Sequence, residues 1–125
     1  MGEADPVVRI SEHERRQGAP TPGMHREEAV ATETTWGGFL RTDPGMVSGW
    51  HHHGEYESVI YVMSGTLRME SGPGGEDVID AAPGDFLFVP RGSIHRESNP
   101  SDLEATAIVV RSGRGEAVIN VGGPA

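Results

Sequence analysis

The chain has 125 residues, the size of one ordinary domain, and carries 19 acidic against 10 basic residues for a formal net charge of −9. That balance excludes non-specific nucleic-acid binding, which rests on Lys and Arg neutralising phosphates, so no nucleic-acid partner is expected. Cysteine is absent, which leaves only His and carboxylate side chains for a transition-metal site, and no apolar run has the length of a signal peptide or membrane span, so a cytoplasmic protein without a membrane partner is expected.

Residues 1–27 read as a partly flexible N-terminal arm and residues 28–125 as a β-barrel domain. In the arm, Val7, Val8 and Ile10 offer a short apolar edge, while the stretch from Ser11 to Arg16 has no apolar stripe and Gly18-Ala19-Pro20-Thr21-Pro22-Gly23 cannot continue a helix. His13 and His25 lie in these polar surroundings and read as surface residues. From Glu28 onward the pattern predicts strands near 28–34, 36–42, 46–53, 57–63, 65–71, 76–81, 85–90, 94–98, 103–111 and 116–121. Turn chemistry separates them, as in Asp43-Pro44-Gly45, Ala82-Pro83-Gly84 and Asn99-Pro100. Eighteen glycines and nine prolines fall between these short apolar runs, which points to a turn-rich all-β fold.

The chemistry concentrates in two segments. In the first, His51-His52-His53 precedes Glu57 and the apolar run from Val59 to Met63. Side chains on a strand alternate between faces, so His51 and His53 share one face and His52 takes the other. The second segment places His95 after the run Phe86 to Val89, with Glu97 on the same face two residues on. The shared face of His51 and His53, with His95 in similar local surroundings, forms a candidate metal site, and Glu97 is a candidate general acid or base, with a structural ion pair as its alternative. Asn99, before Pro100, reads as a turn opener.

These segments resemble the two motifs of the cupins, and the sequence is similar to a small single-domain cupin. Gly84, Pro90, Gly92, His95 and Asn99 match every position of the second motif (Gly, five residues, Pro, one, Gly, two, His, three, Asn), and Gly45, His51, His53 and Gly65 match the first. The resemblance spans 45–99 and implies a double-stranded β-helix, or jelly-roll, barrel. The first motif's glutamate falls at Ser58, whereas the acidic residue is Glu57. In a regular strand Ser58 faces the site with Ile60 and Val62, and Glu57 reaches it only through a bulge or bend. The expected metal set is therefore His51, His53 and His95, completed by Glu57 or by water, around a divalent transition metal: Fe, Mn, Ni, Cu or Zn.

Because cupins host many reactions, the resemblance does not choose one. The expected function is a metal-dependent enzyme, of dioxygenase or lyase/isomerase type, acting on a small organic molecule that chelates the metal through oxygen. The alternatives are a non-catalytic metal- or metabolite-binding cupin serving as sensor or store, and a metal-free barrel doing acid–base chemistry. Val59, Tyr61 and Met63, on the face opposite Ser58, form an apolar row that the N-terminal arm or a second subunit must cover, and the resemblance favours a homodimer.

Overall fold

The computed structural model describes residues 5–125, so the first four positions of the expected arm lie outside the described residues. The strands are β1 (Arg16–Gln17), β2 (Met24–Ala31), β3 (Thr35–Thr42), β4 (His51–His52), β5 (Glu57–Ser64), β6 (Leu67–Ser71), β7 (Asp77–Ala81), β8 (Phe86–Val89), β9 (His95–Ser98), β10 (Ala105–Ser112) and β11 (Ile119–Asn120). They form a six-stranded sheet in the order β1-β2-β3-β10-β5-β8 and a five-stranded sheet in the order β11-β4-β9-β6-β7. Every pairing is antiparallel, and the fold is a double-stranded β-helix. Among the described residues no helix is long and apolar enough to cross a membrane.

Alternation places the core. On β5, Ser58, Ile60 and Val62 are buried while Val59, Tyr61 and Met63 are exposed, and on β10 the buried set is Ala105, Ala107, Val109 and Arg111. Ile60, Val62, Leu40, Leu87, Val89, Ala107 and Val109 from the larger sheet pack against Leu67, Met69 and Ala81 from the smaller one. This is one apolar core between two inner faces, as period-two patterning requires.

Three expected strands differ most from those observed, and the one placed at 116–121 shortens to Ile119–Asn120. The strand placed at 28–34 begins at Met24, and Arg16–Gln17 pair with Glu27 and Glu28, so part of the segment read as an arm joins the large sheet. Its polar sequence hid it because this edge is held by charge. Glu27 lies 3.4 Å from Arg15 and 3.1 Å from Arg41. The strand placed at 46–53 shrinks to His51–His52, preceded by an irregular segment tied into β9 through Ser48 N–H to Glu97 O at 2.8 Å and Asn99 N–H to Met46 O at 3.0 Å. Gly45 N–H donates to Asn99 O at 2.8 Å, so the first residue of one motif clasps the last residue of the other. Asn99 is fully buried and its side chain is satisfied by Leu103 O, Ser101 N–H and Ser101 Oγ.

The motif glycine Gly65 closes the turn between β5 and β6 at φ +73°, and a Cβ there would sit 2.8 Å from the Cα of Ala105. Gly45 also has φ +73°, but a Cβ there meets nothing within 4 Å. Gly45→Ala should therefore cost only the left-handed conformation, about 1–2 kcal/mol, whereas Gly65→Ala adds a clash with β10 and should cost clearly more. Urea denaturation of the two variants checks this, and equal losses would contradict the close approach.

Candidate metal centre

His51 and His95 are direct antiparallel partners across β4 and β9, which sets their rings side by side with centroids 4.4 Å apart. His53 follows on the same face, with its ring 5.1 Å from His51 and 5.0 Å from His95. Glu97, two residues beyond His95, is the fourth member. One ligand atom from each of the four residues lies within 4.8 Å of the others, and all four side chains are buried.

The backbone fixes which ring nitrogen faces inward. His51 Nδ1 lies 2.9 Å from Gly49 O, His95 Nδ1 lies 2.9 Å from Ser93 O, and His53 Nδ1 lies 2.6 Å from Ala117 O. A carbonyl can only accept, so each Nδ1 carries the proton and each neutral ring turns an Nε2 lone pair toward the others. In two of the three cases the carbonyl belongs to the residue two positions back, so the same local device serves both motif segments. The third carbonyl comes from the C-terminal segment, whose strand β11 pairs with β4.

Glu97 Oε1 is 3.4 Å from His95 Nε2 and 3.9 Å from His51 Nε2. His95 Nε2 and Glu97 Oε2 are buried without a hydrogen-bond partner, so the nearer contact is electrostatic attraction rather than a formed hydrogen bond. Three lone pairs and a carboxylate thus converge on one point with no donor among them. Such a set is satisfied by a cation, and the tied-off Nδ1 atoms are the arrangement that metal-ligating imidazoles require. The residues present fit a divalent metal.

The electrostatics agree. Burial lowers the pKa of His51, and it lowers that of His53 from 6.5 to about 4. Burial acts on His95 in the same sense, but the Glu97 carboxylate outweighs it and the net shift is upward. Burial would raise Glu97, yet the facing imidazoles, His95 first, hold it near 2. Without a metal, the carboxylate therefore favours the protonated form of His95.

The remaining expected residues separate cleanly. Glu57 does not join the cluster, and its expectation as a ligand is corrected. β5 keeps an unbroken register from Glu57 to Val62 against β10, so no bulge turns Glu57 inward, and Ser58 takes the inner position at 2 % exposure. Glu97, read as an acid or base or as half of a structural ion pair, joins the histidine cluster, and among the described residues it forms no ion pair with an arginine; Arg96 pairs with Glu70 at 2.7 Å. His52 is off the site and accepts from Gly54 N–H at 3.0 Å. A small cavity of about 20 Å³ beside the cluster brings Arg26 and Arg111 against His53, Ser58 and Glu97. Neither arginine was singled out from sequence, although Arg111 has the inward parity of Ala105, Ala107 and Val109. A larger groove, about 780 Å³, runs along β1 and β2, is lined by His25 and Arg26, and touches none of the three clustered histidines.

A family model described as the cupin domain matches residues 38–111, more than half of the chain. The chain belongs to the cupins. No curated protein matches it by sequence. Among solved structures it is similar to KdgF from a Halomonas species, 22 % identical over 88 % of this chain and 96 % of that one, with a TM-score of 0.73. It is also similar to the polyketide cyclase RemF from Streptomyces resistomycificus, 20 % identical over 94 % and 87 %, with a TM-score of 0.77. Bacillus subtilis oxalate decarboxylase, whose Mn(II) centres have been studied, is 18 % identical over 85 % of this chain and 30 % of that chain, with a TM-score of 0.71. At these identities the likeness is one of fold.

A pH dependence follows from the buried rings. In the unfolded chain His53 takes up a proton near pH 6.5 and in the folded chain only near pH 4, so between these values the unfolded state binds more protons and acid favours it. The stability carried by neutral His53 is complete above pH 6.5 and lost by about pH 4. Glu97 acts in the same direction lower down, between 4.5 and about 2, while His95, shifted upward, contributes below pH 6.5 and fades as pH rises. In chelator-treated protein the Tm should fall from pH 6.5 to 4, and His53→Gln should flatten that fall. Parallel Tm–pH curves for the two proteins would contradict the buried neutral ring.

Proposed function

We propose that this cupin holds one divalent transition metal between His51, His53, His95 and Glu97 and is an enzyme acting on a small molecule that chelates the metal through oxygen. The observation that carries the reading is the convergence of four buried acceptors with no donor. Three neutral nitrogens and one oxygen suit Mn(II), Fe(II), Ni(II), Cu(II) or Zn(II), and the absence of sulfur disfavours softer ions. When bound, the metal supplies Lewis-acid polarisation of a substrate oxygen, or redox chemistry if it is iron. The chain's own contribution is orientation and exclusion of water: the three carbonyls lock the imidazoles, and Ile60, Leu40 and Val109 wall the inner side. In this reading Glu97 is a ligand, and Ser58, in the motif's acidic position, leaves a side open for substrate. The manganese in oxalate decarboxylase supports a metal role on this fold.

A second reading, metal-free acid–base chemistry by the His95–Glu97 pair, draws on their 3.4 Å approach. Metal analysis of untagged protein separates the two. Wild type and His52→Ala should retain about one metal per chain, while His51→Ala, His95→Ala and Glu97→Gln lose most of it and Glu57→Gln keeps it. Equal loss at His52, or a metal-free wild type after reconstitution, would sink the metal reading. Turnover of chelating oxygen compounds under air and under nitrogen then separates an enzyme from a metal-binding sensor or store.

We also infer a two-fold dimer. Val59 and Tyr61 lie opposite Val110 and Ile108 on one side and Phe88 and Phe86 on the other, so the half-exposed apolar residues form one continuous face of the large sheet. The described part of the arm does little to cover it: Ile10 lines a groove together with Val30, Met63 and Val110, but Val7 is fully exposed and Val8 mostly so. A second copy is the cover that remains. Light scattering at micromolar concentration should give twice the 13.3 kDa chain mass, and Tyr61→Glu should halve it while leaving metal content unchanged. A wild type of single-chain mass would refute the dimer.

A further inference from the structure

The inner face of β10 runs Ala105, Ala107, Val109 and then Arg111, a guanidinium at the end of a row of core positions. Arg111 is only 8 % exposed. Among the described residues it has no hydrogen-bonding side-chain partner and no ion pair, and burial together with the nearby Arg26 lowers its pKa. An unpaired buried charge is costly, so its persistence at such a position calls for a function.

Its surroundings are built rather than incidental. The guanidinium lies 4.5 Å over the ring of Trp36, whose indole N–H is fixed by a 2.9 Å hydrogen bond to Glu28. Stacking orients the plane and leaves the N–H edges free. Arg111 is the cross-strand partner of Ser58, whose buried Oγ also lacks a partner. At that position the family's first motif has an acid, which would neutralise a facing arginine. Here the acid has moved to Glu97, beside the histidines, and Arg111 is released. Arg26 lines the same cavity, anchored by Thr21 Oγ1 at 2.8 Å, so two positive groups face one carboxylate (+2 − 1 = +1) before any metal is counted.

We infer that Arg111 is the receptor for a carboxylate, and that the ligand of this site is a small hydroxy- or oxo-carboxylic acid anion held by Arg111 at one end and by the metal centre at the other. The metal-facing end rests on the function proposed above; the carboxylate end does not. A guanidinium fork matches a planar carboxylate with two parallel hydrogen bonds. Ser58 Oγ adds a third donor. The cavity of about 20 Å³ has room on the order of one water-sized group, so only the small charged end of a ligand reaches Arg111 there.

The test uses the fluorescence of the two tryptophans, one of which lies under Arg111, to titrate metal-loaded and chelator-treated protein with glycolate, lactate, malonate, malate and citrate, with malamide as the neutral counterpart of malate and inorganic phosphate as the tetrahedral one. At least one carboxylate should bind the wild type, and malate should bind at least about tenfold more tightly than malamide. Arg111→Met should weaken carboxylate binding at least about tenfold, keep its metal, and raise the Tm by about 2–8 °C because an uncompensated charge leaves the interior. Arg111→Lys should recover only part of the affinity, since an ammonium lacks the fork. The chelator-treated protein should bind more weakly yet show the same dependence on Arg111, so a failed metal site and a failed carboxylate receptor give different results. Binding of malamide as tight as malate, phosphate displacing every carboxylate, no carboxylate bound at all, or unchanged affinity in Arg111→Met would each overturn the proposal. The amide comparison needs only the wild type and stands even if no variant folds.

Discussion

Three hydrogen bonds from imidazole Nδ1 to backbone carbonyls are the constraint on which the rest of this site depends. Each sacrifices one ring nitrogen to the scaffold and thereby aims the other. Two are local, made to the carbonyl two residues back, just before each strand begins. The third joins His53 to Ala117, far along the chain, so the site is complete only when the C-terminal segment has returned to pair with β4. Folding and site assembly are therefore coupled at His53. The price is a cluster of acceptors that repel one another, which the metal-free protein relieves only partly by favouring the protonated form of His95.

The barrel tolerates this because the conflict is confined to one region of its interior. Leu67, Met69, Val62 and Ala107 bury an ordinary apolar core, while the histidines and Glu97 gather beside Arg26, Arg111 and Ser58. Three buried polar atoms without hydrogen-bond partners, His95 Nε2, Glu97 Oε2 and Ser58 Oγ, lie there, the others being on Arg15, Glu27 and Thr42. Stability comes from one part and chemistry from the other, as when strain and unpaired charge gather at functional sites and are offset elsewhere. The charge distribution follows the same division, with a net charge of −9 overall and a positive balance of arginines against Glu97 inside.

How far the site was legible from sequence depended on whether parity was enough. His51 and His53 share one face by counting alone, and the second motif adds His95; Ser58 rather than Glu57 shares the face of Ile60 and Val62, so expecting a bulge at Glu57 meant overriding that alternation to supply the motif's acid. Glu97 was placed on the right face, but its distance to His51 depends on the pairing of β4 with β9, which the alternation within one strand does not contain. Arg111 obeyed parity too and was passed over, because a charged residue ending an apolar strand reads as the strand's exit to solvent. The early start of β2 was hidden for a different reason: its outer face is held by ion pairs among Arg15, Glu27 and Arg41, which leave no hydrophobic period to read.

Strand β5 shows why the fold admits so little freedom here. Its inner face supplies Ser58 to the cavity and Ile60 and Val62 to the core, and its outer face supplies Val59, Tyr61 and Met63 to the apolar surface. A slip of one residue would exchange the two sets, placing Glu57 beside Glu97 and Tyr61 in the core. Two carboxylates would then share the cluster while a phenol would need a partner among Val62's former apolar neighbours. Every consequence of the slip is unfavourable at once, in core, cavity and surface. The register is therefore held by the sum of three environments rather than by any one contact, and the same register fixes where Arg111 meets Ser58.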